Sequence, residues 1–328
     1  MPPLRPEVPA LSLDAALFRP EAIDDESKQL IERVRAMGAA GPAMHTLSPA
    51  EARALRAGTG RGPGGEPIVY SENVVVRSIP GPGGEITLRT FVPRRVDGAY
   101  LYVHGGGWVL GTSDGNDVRL EKLSNDLNLA VLSVEYRLAP EHPYPAGPDD
   151  CEAAALWLAK NAQSEYGTSR LMIGGDSAGA HLAVVALLRL RDRHGITPYS
   201  AANLGYGVFD VSQTPSLANW GDEALILSTS VMRWFGNHFV APERQREPDV
   251  SPLYANLRNL PRALFTVGTH DPLLDDSTFM HARWLAAGNE SELAVYPGGI
   301  HGITGFPTAL GRKAVARQDA FLKAALSA

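Results

Sequence analysis

One serine in the chain stands between two glycines at the end of a short apolar run. The run covers residues 171–173, and the sequence GDSAG follows at 175–179, before a long helical pattern. A sharp turn from a strand into a helix exposes a serine hydroxyl on a rigid backbone, and small neighbours avoid a clash there. The pattern therefore predicts Ser177 as a nucleophile, with a helix N-cap as its alternative role.

A second glycine-rich segment, HGGGW at 104–108, follows another apolar run. Consecutive glycines leave backbone N–H groups uncovered, and such donors stabilise the negative oxygen of a tetrahedral intermediate. We expect Gly106, Gly107 and Ala178, which starts the helix after the serine, to form this oxyanion hole. A flexible turn is the alternative interpretation. His104 is expected to fix the loop by hydrogen bonding rather than to act as a base.

Two later loops offer an acid and a base. Asp271 comes shortly after the apolar run 264–267, and His301 lies in a glycine-rich segment after the run 293–296. Loops at strand ends are where α/β sheets carry their chemistry. We expect His301 to accept the proton of the serine and Asp271 to hold the histidine tautomer.

Other acids and histidines fit these two roles less well. Asp275 and Asp276 directly precede a helical pattern and are expected to be first-turn acids of that helix. His181 and His281 lie within helical patterns and are expected to be structural or surface residues. His270 is in the same loop as Asp271 and is less suited to face it.

Short apolar runs alternate with helical patterns along most of the chain. The runs are 99–103, 130–134, 171–173, 204–208, 264–267 and 293–296, and the clearest helices are 151–161, 178–194, 278–287 and 314–326. This alternation predicts an α/β fold whose mostly parallel sheet is covered by helices on both faces, with a hairpin before it at 74–91.

Two regions interrupt the alternation. Residues 1–68 contain helical patterns at 27–37 and from Ser48-Pro49-Ala50-Glu51, and end in a Gly- and Pro-rich linker. Residues 211–250 contain no clear strand and are rich in aromatic residues. We expect 1–68 and 211–250 to form a helical cap over one sheet edge, and 69–210 and 251–328 to form the two parts of the core.

Five motifs follow one another in the order HGGGW, YRLAPEHPYPA at 136–146, GDSAG, DPL at 271–273 and HG at 301–302. In this the chain resembles the bacterial hormone-sensitive-lipase-like (family IV) carboxylesterases of the α/β-hydrolase superfamily, from about residue 70 onward. The resemblance implies an eight-stranded, mainly parallel sheet with a helical cap. It also implies hydrolysis of short- to medium-chain acyl esters by a Ser-Asp-His triad through an acyl-enzyme, without a cofactor.

The sequence also suggests residues that could line a substrate pocket. Candidates for a pocket between cap and core are Trp108, Asp176, Phe209, Trp220, Trp234 and Ile303. The competing interpretation is that the aromatic residues form the core of the cap. Ile303 stands where many family members have an aromatic residue. An internal salt bridge between Glu141 and Arg137 is expected to brace the site.

Composition limits the other classes of function. The 328 residues carry a net charge of −6 and one cysteine, with no basic cluster and no run long enough to span a membrane. We expect a cytoplasmic protein with a small-molecule ester as its partner and without a nucleic acid, a metal, a disulfide or stable membrane insertion. Dimers occur in the family, so the resemblance allows a homodimer. An amidase or arylformamidase using the same triad, or a non-catalytic receptor, is the alternative function.

Overall fold

A single mixed sheet forms the centre of the molecule. The computed structural model describes residues 13–59, 69–223 and 225–327. In that part of the chain eight strands lie in the order β1-β2-β4-β3-β5-β6-β7-β8. The strand β2 is antiparallel to both of its neighbours, β1 and β4, and all the other neighbouring pairs are parallel. The strands are β1 Val75–Gly81, β2 Gly84–Phe91, β3 Gly98–Val103, β4 Leu129–Glu135, β5 Leu171–Asp176, β6 Tyr199–Gly205, β7 Arg262–His270 and β8 Ser291–Ile300.

Helices precede, connect and follow the strands of the sheet. They are α1 Asp25–Ala40, α2 Pro49–Thr59, α3 Asp117–Leu127, α4 Ala146–Tyr166, α5 Ala178–His194, the single turn α6 Pro215–Ala218, α7 Thr229–Phe239, α8 Leu274–Ala286 and α9 Ala309–Ala325. Every residue of β3 is buried, as expected of a strand that helices cover on both faces. The predicted α/β fold with its mostly parallel eight-stranded sheet is confirmed.

The sequence patterns placed several elements inaccurately. The sixth strand ends at Gly205, so the run predicted at 204–208 mostly follows the strand instead of forming it. Its true start at Tyr199 was not recognised because the segment YSAAN contains small and polar residues instead of the β-branched and aromatic residues that are typical of strands. The helix α3 was not among the clearest helical patterns, since its amphipathic stripe is only about three turns long.

The N-terminal helices contact the segment between β6 and β7. The indole N–H of Trp234, in α7, donates to the carbonyl of Leu47 at 3.1 Å. The guanidinium of Arg35, in α1, pairs with Glu223. These contacts support a common cap, although its exact boundaries stay a prediction. Within the described ranges, the helices are all too short or too polar to cross a membrane.

Candidate active site

Ser177 is the residue directly after β5 and directly before α5. Its backbone has φ 57° and ψ −120°, a conformation that costs a non-glycine residue energy and that surrounding structure must enforce. The serine N–H donates to the carbonyl of Gly205 at 2.8 Å, which fixes the turn to the neighbouring strand. The amides of the first turn of α5 have no earlier helical carbonyl to bind and carry the positive end of the helix dipole.

The glycine after the serine is required by close packing. A Cβ atom at Gly179 would lie 2.0 Å from the carbonyl oxygen of Val103 and 2.6 Å from that of His104. Because real Cβ atoms do not approach carbonyl oxygens so closely, α5 can start against the end of β3 only with glycine at this position. This is the physical reason for the small residues around Ser177.

A chain of polar contacts runs from Ser177 to a buried carboxylate. The Nε2 atom of His301 lies 3.0 Å from the Ser177 hydroxyl oxygen, and its Nδ1 atom lies 2.9 Å from Asp271 Oδ2. With the proton on Nδ1, the ring donates to Asp271 and accepts from the serine hydroxyl. Asp271 and His301 are 1% and 5% exposed, so solvent does not compete for these bonds.

Asp271 and His301 are each held by further contacts. Asp271 Oδ1 accepts from the N–H of Leu273 at 2.9 Å, which leaves Oδ2 facing the histidine. The ring of Tyr206 packs edge-on against the His301 ring with centroids 5.0 Å apart, and its hydroxyl bonds to Thr304. Tyr206 has no sequence signal that ties it to His301, because the contact joins residues far apart in the chain.

We call residues 104–110 the glycine loop. It forms a turn in which the N–H groups of Val109 and Leu110 donate to the carbonyl of Gly106. The loop touches the serine turn, since a Cβ at Gly105 would lie 3.3 Å from Ser177 Cβ. Gly107 has φ 61°, and a Cβ there would lie 2.3 Å from the ring of Phe235 in α7. A side chain at Gly107 is therefore excluded.

His104 fixes one end of the glycine loop. Its Nδ1 atom lies 2.8 Å from the carbonyl oxygen of Gly105, and its ring stacks on Tyr136 with centroids 4.3 Å apart. The Tyr136 hydroxyl donates to the carbonyl of His104 at 3.0 Å. Burial lowers the pKa of His104. A buried ring with these partners fits the expected loop-fixing role.

The other end of the glycine loop is anchored by Trp108 and His181. The Trp108 ring stacks on Phe239, and its indole N–H donates to His181 Nδ1 at 3.0 Å. His181 in turn donates from Nε2 to the carbonyl of Val250 at 2.8 Å. Burial lowers the pKa of His181 to about 4, and the neutral ring is the only form that accepts from Trp108. His181 is thus structural, as predicted, but it supports the site directly.

A second buried acid connects α8 to the segment after β6. Asp276 accepts hydrogen bonds from the N–H groups of Phe209 and Asp210 and from the hydroxyl of Thr214. Burial raises the pKa of Asp276 to about 7, and the neighbouring charge of Asp210 acts in the same direction. The expectation of a first-turn acid is met, because Asp275 and Asp276 lie in the first turn of α8. Its contacts to the insertion were not foreseen.

The predicted salt bridge between Glu141 and Arg137 is wrong. Arg137 pairs with Asp150, donating from Nε and Nη2 at 2.8 Å each. Glu141 pairs with Arg53 of α2. Both residues brace the loop at 136–146, but each does so with a partner outside that loop. The sequence shows the charge of a residue in a turn, but it does not show which residue of opposite charge pairs with it.

The six pocket candidates fall into two groups, one with buried and one with partly exposed side chains. Trp108, Phe209 and Ile303 are at most 2% exposed and offer almost no surface to a ligand. These three side chains pack in the core, as Phe209 does against Phe265, and their place in the substrate pocket stays a prediction. The partly exposed candidates Asp176, Trp220 and Trp234 stay predictions.

Two of these partly exposed side chains already have structural partners. Asp176 accepts from the Tyr102 hydroxyl at 2.8 Å. Trp234 donates to Leu47. Across the described ranges, there is no cluster of three or more His, Cys, Asp or Glu side chains arranged to hold a metal ion.

The similarity of this chain to known protein families and proteins agrees with its α/β fold. Residues 100–305 match a family described as having the alpha/beta hydrolase fold. The chain is 36% identical to the carboxylic ester hydrolase LipN of Mycobacterium tuberculosis over 69% of its own length and 62% of that protein, so it spans less than two thirds of LipN. It is 31% identical to an ethyl acetate hydrolase of Pseudomonas putida, over 83% of this chain and 88% of that one.

Solved structures give the same result. A hyperthermophilic esterase from the archaeon Pyrobaculum calidifontis superposes with a TM-score of 0.81 at 31% sequence identity. The superposition covers 92% of this chain and 98% of the archaeal one. The similarity therefore includes the helices outside the sheet as well as the sheet itself.

Proposed function

The chain belongs to the hormone-sensitive-lipase-like carboxylesterases of the α/β-hydrolase superfamily, and from that premise we propose that it hydrolyses carboxylic esters through an acyl-enzyme on Ser177. The observation that carries this proposal is the contact chain from Ser177 to His301 at 3.0 Å and from His301 to Asp271 at 2.9 Å. A nucleophile, a base and an orienting acid within hydrogen-bond reach are what acyl transfer needs.

In the proposed first step the Ser177 oxygen attacks the ester carbonyl carbon while its proton moves to His301 Nε2. The carbonyl oxygen becomes an oxyanion, which the amides of Gly106, Gly107 and Ala178 would stabilise. Each such donor contributes about 10²–10³-fold to the rate. Asp271 stabilises the imidazolium that forms. The tetrahedral intermediate then collapses, and the imidazolium protonates the departing alcohol.

The second step repeats the same chemistry with water. His301 takes a proton from a water molecule, which attacks the acyl-enzyme, and the oxyanion forms again in the same place. Collapse returns the proton to the Ser177 oxygen and releases the carboxylic acid. Since this histidine is 5% exposed, the acylating substrate and the water must both enter from the side of the serine.

We propose that the acyl groups are short to medium in length. Phe235 of α7 lies against Gly107 and limits the space next to the glycine loop. The relative from Pseudomonas putida, whose name gives ethyl acetate as its substrate, supports the shorter end of that range.

The test compares native protein with Ser177→Ala on nitrophenyl esters from acetate to decanoate. We expect the native protein to release nitrophenol most efficiently from acetate and butyrate, and the variant to lose at least about 10³-fold in kcat while keeping its fold. A variant as active as the native protein would contradict the assignment of the nucleophile. Rates that rise up to decanoate would contradict the assignment of acyl length.

A further inference from the structure

Arg53 is the fifth residue of α2, a short helix whose first turn is well capped. The first turn of α2 is a capping box, in which the Ser48 hydroxyl accepts from the Glu51 N–H and Glu51 accepts from the N–H and hydroxyl of Ser48. These bonds lower the pKa of Glu51. Ala52 is buried beneath the helix. The capping box and this packing fix the position from which the Arg53 side chain extends.

The guanidinium of Arg53 makes four hydrogen bonds to the core. Nε donates to the carbonyl of Val109 at 2.9 Å, and Nη2 donates to the carbonyl of Ala139 at 2.7 Å. Nη1 and Nη2 also donate to the two oxygens of Glu141 at 2.8 Å each. These bonds lower the pKa of Glu141 to about 2, so the ion pair stays charged at any pH at which an esterase would work.

The two backbone carbonyls that accept from Arg53 lie in the glycine loop and in the segment bonded to it. Val109 is in the loop, and its own N–H donates to the carbonyl of Gly106. The N–H of Ala139 donates to the carbonyl of Trp108 at 2.9 Å. The loop is therefore joined to Ala139 twice, once directly and once through Arg53. Gly107 lies inside the turn that these bonds close.

The carbonyls of Val109 and Ala139 depend on Arg53 for these hydrogen bonds. Val109 and Ala139 are 0% and 1% exposed, so their carbonyls would lose a donor in a place that water reaches poorly. A planar guanidinium can bond to separate acceptors along its edges at once, whereas a lysine ammonium is a compact point donor on a flexible stem. The arrangement is therefore specific for arginine.

We propose that Arg53 is a positioning residue, through which helix α2 holds the glycine loop in the geometry that stabilises the oxyanion. This inference rests on the proposed function, because it needs the glycine loop to act as the oxyanion hole. It makes the N-terminal segment part of the machinery for the reaction and not only a cover. The loss of Arg53 should act on the transition state more than on substrate binding.

The experiment measures kcat and KM for nitrophenyl butyrate in native protein, Arg53→Met and Arg53→Lys. We expect kcat to fall about 10- to 100-fold in Arg53→Met with KM changed less than about threefold, because a displaced oxyanion donor weakens the transition state. Arg53→Lys should lie between the two, and it keeps the test usable if the methionine variant folds poorly.

Two control variants separate positioning from general docking of the N-terminal segment. Arg35→Met removes the pairing of α1 with Glu223 and leaves the glycine loop untouched. We expect its kcat to stay within about twofold of native. Glu141→Gln keeps both bonds from Arg53 to backbone carbonyls, so its kcat should stay within about threefold.

Two results would overturn the inference: a kcat for Arg53→Met within twofold of native, or an equal loss in Arg35→Met. Failure of the proposed function would look different. In that case Ser177→Ala would keep its activity, whatever Arg53→Met does.

Discussion

The three side chains of the proposed triad meet because each directly follows the last residue of a parallel strand. Ser177 follows β5, Asp271 follows β7 and His301 follows β8. Parallel strands bring these ends to one edge of the sheet, where the loops are free to carry polar groups. The arrangement of the strands in the sheet is therefore enough to bring the three side chains into contact.

At this scale we predict the effect of Asp271→Asn. The amide can still accept from the N–H of Leu273, but it no longer favours the tautomer in which His301 accepts from the serine. We expect kcat to fall by about 10⁴-fold with little change in KM or in the free energy of unfolding. Steady-state kinetics with nitrophenyl butyrate, together with chemical denaturation, measures both.

Asp275→Asn is the matched control, because Asp275 is the neighbouring acid and contacts Ser216 instead of a histidine. Its activity should be close to native. Equal losses in the two variants would show that the loop, and not the Asp271 carboxylate, is what matters.

The sequence predicts the residues of the candidate site better than it predicts the residues that hold them in place. The residues of the proposed triad stand in short motifs whose spacing reflects a strand end, and such a signal is local. Arg53 contacts Val109 and Glu141, which are 56 and 88 positions away. Neither a motif nor a period marks such a pairing. The same reason explains why the predicted partner of Glu141 was wrong.

At the scale of elements, the junction between β3 and α5 holds the serine turn in place. The helix begins so close to the strand that the Gly179 position has no room for a methyl group. The sequence pattern identified this strand and this helix, but it missed the start of β6, where small and polar residues form a buried central strand. Apolar periodicity is informative at surface helices and less so where every face is covered.

We predict that Gly179→Ala destabilises the protein by about 3 kcal/mol or more and removes esterase activity, because the new methyl group must push β3 and α5 apart. Gly41→Ala is the control. A Cβ atom at Gly41 would meet nothing within 4 Å, and its φ of −112° suits alanine. Thermal and urea unfolding of both variants measure the difference. A native-like, active Gly179→Ala would mean that this close approach does not exist in solution.

At the scale of the whole molecule, the insertion at 211–250 is held at both ends by buried titratable groups. Asp276 binds the backbone at Phe209 and Asp210 at its start, and His181 binds the carbonyl of Val250 at its end. Burial disfavours the charged form of each group, so it raises the pKa of Asp276 to about 7 and lowers that of His181 to about 4.

These two groups make opposite contributions to stability between about pH 4 and pH 6.5. In this range the unfolded chain binds a proton at His181 that the folded chain does not, which lowers stability as the pH falls. The folded chain binds a proton at Asp276 that the unfolded chain does not, which lowers stability as the pH rises. Each contribution changes the free energy of unfolding by at most about 1.4 kcal/mol per pH unit.

Single variants should show how each group changes the pH dependence of the free energy of unfolding. Relative to native protein, Asp276→Asn should gain stability as the pH rises from 4 to 6.5, because only the His181 contribution remains. His181→Gln should lose stability over the same range. Urea unfolding at a series of pH values measures both curves. If the Asp276→Asn curve ran parallel to the native one, Asp276 would be charged in the folded protein throughout this range.

The most direct test of the account is covalent labelling with diethyl 4-nitrophenyl phosphate, which places a stable tetrahedral phosphorus on an activated serine. We predict that native protein releases one equivalent of nitrophenolate, loses its esterase activity in parallel, and carries the phosphoryl group on Ser177 in peptide mass spectrometry. Ser177→Ala should release none and remain unlabelled. A label on another residue, or the same release from the variant, would contradict the claim that Ser177 is the nucleophile of this protein.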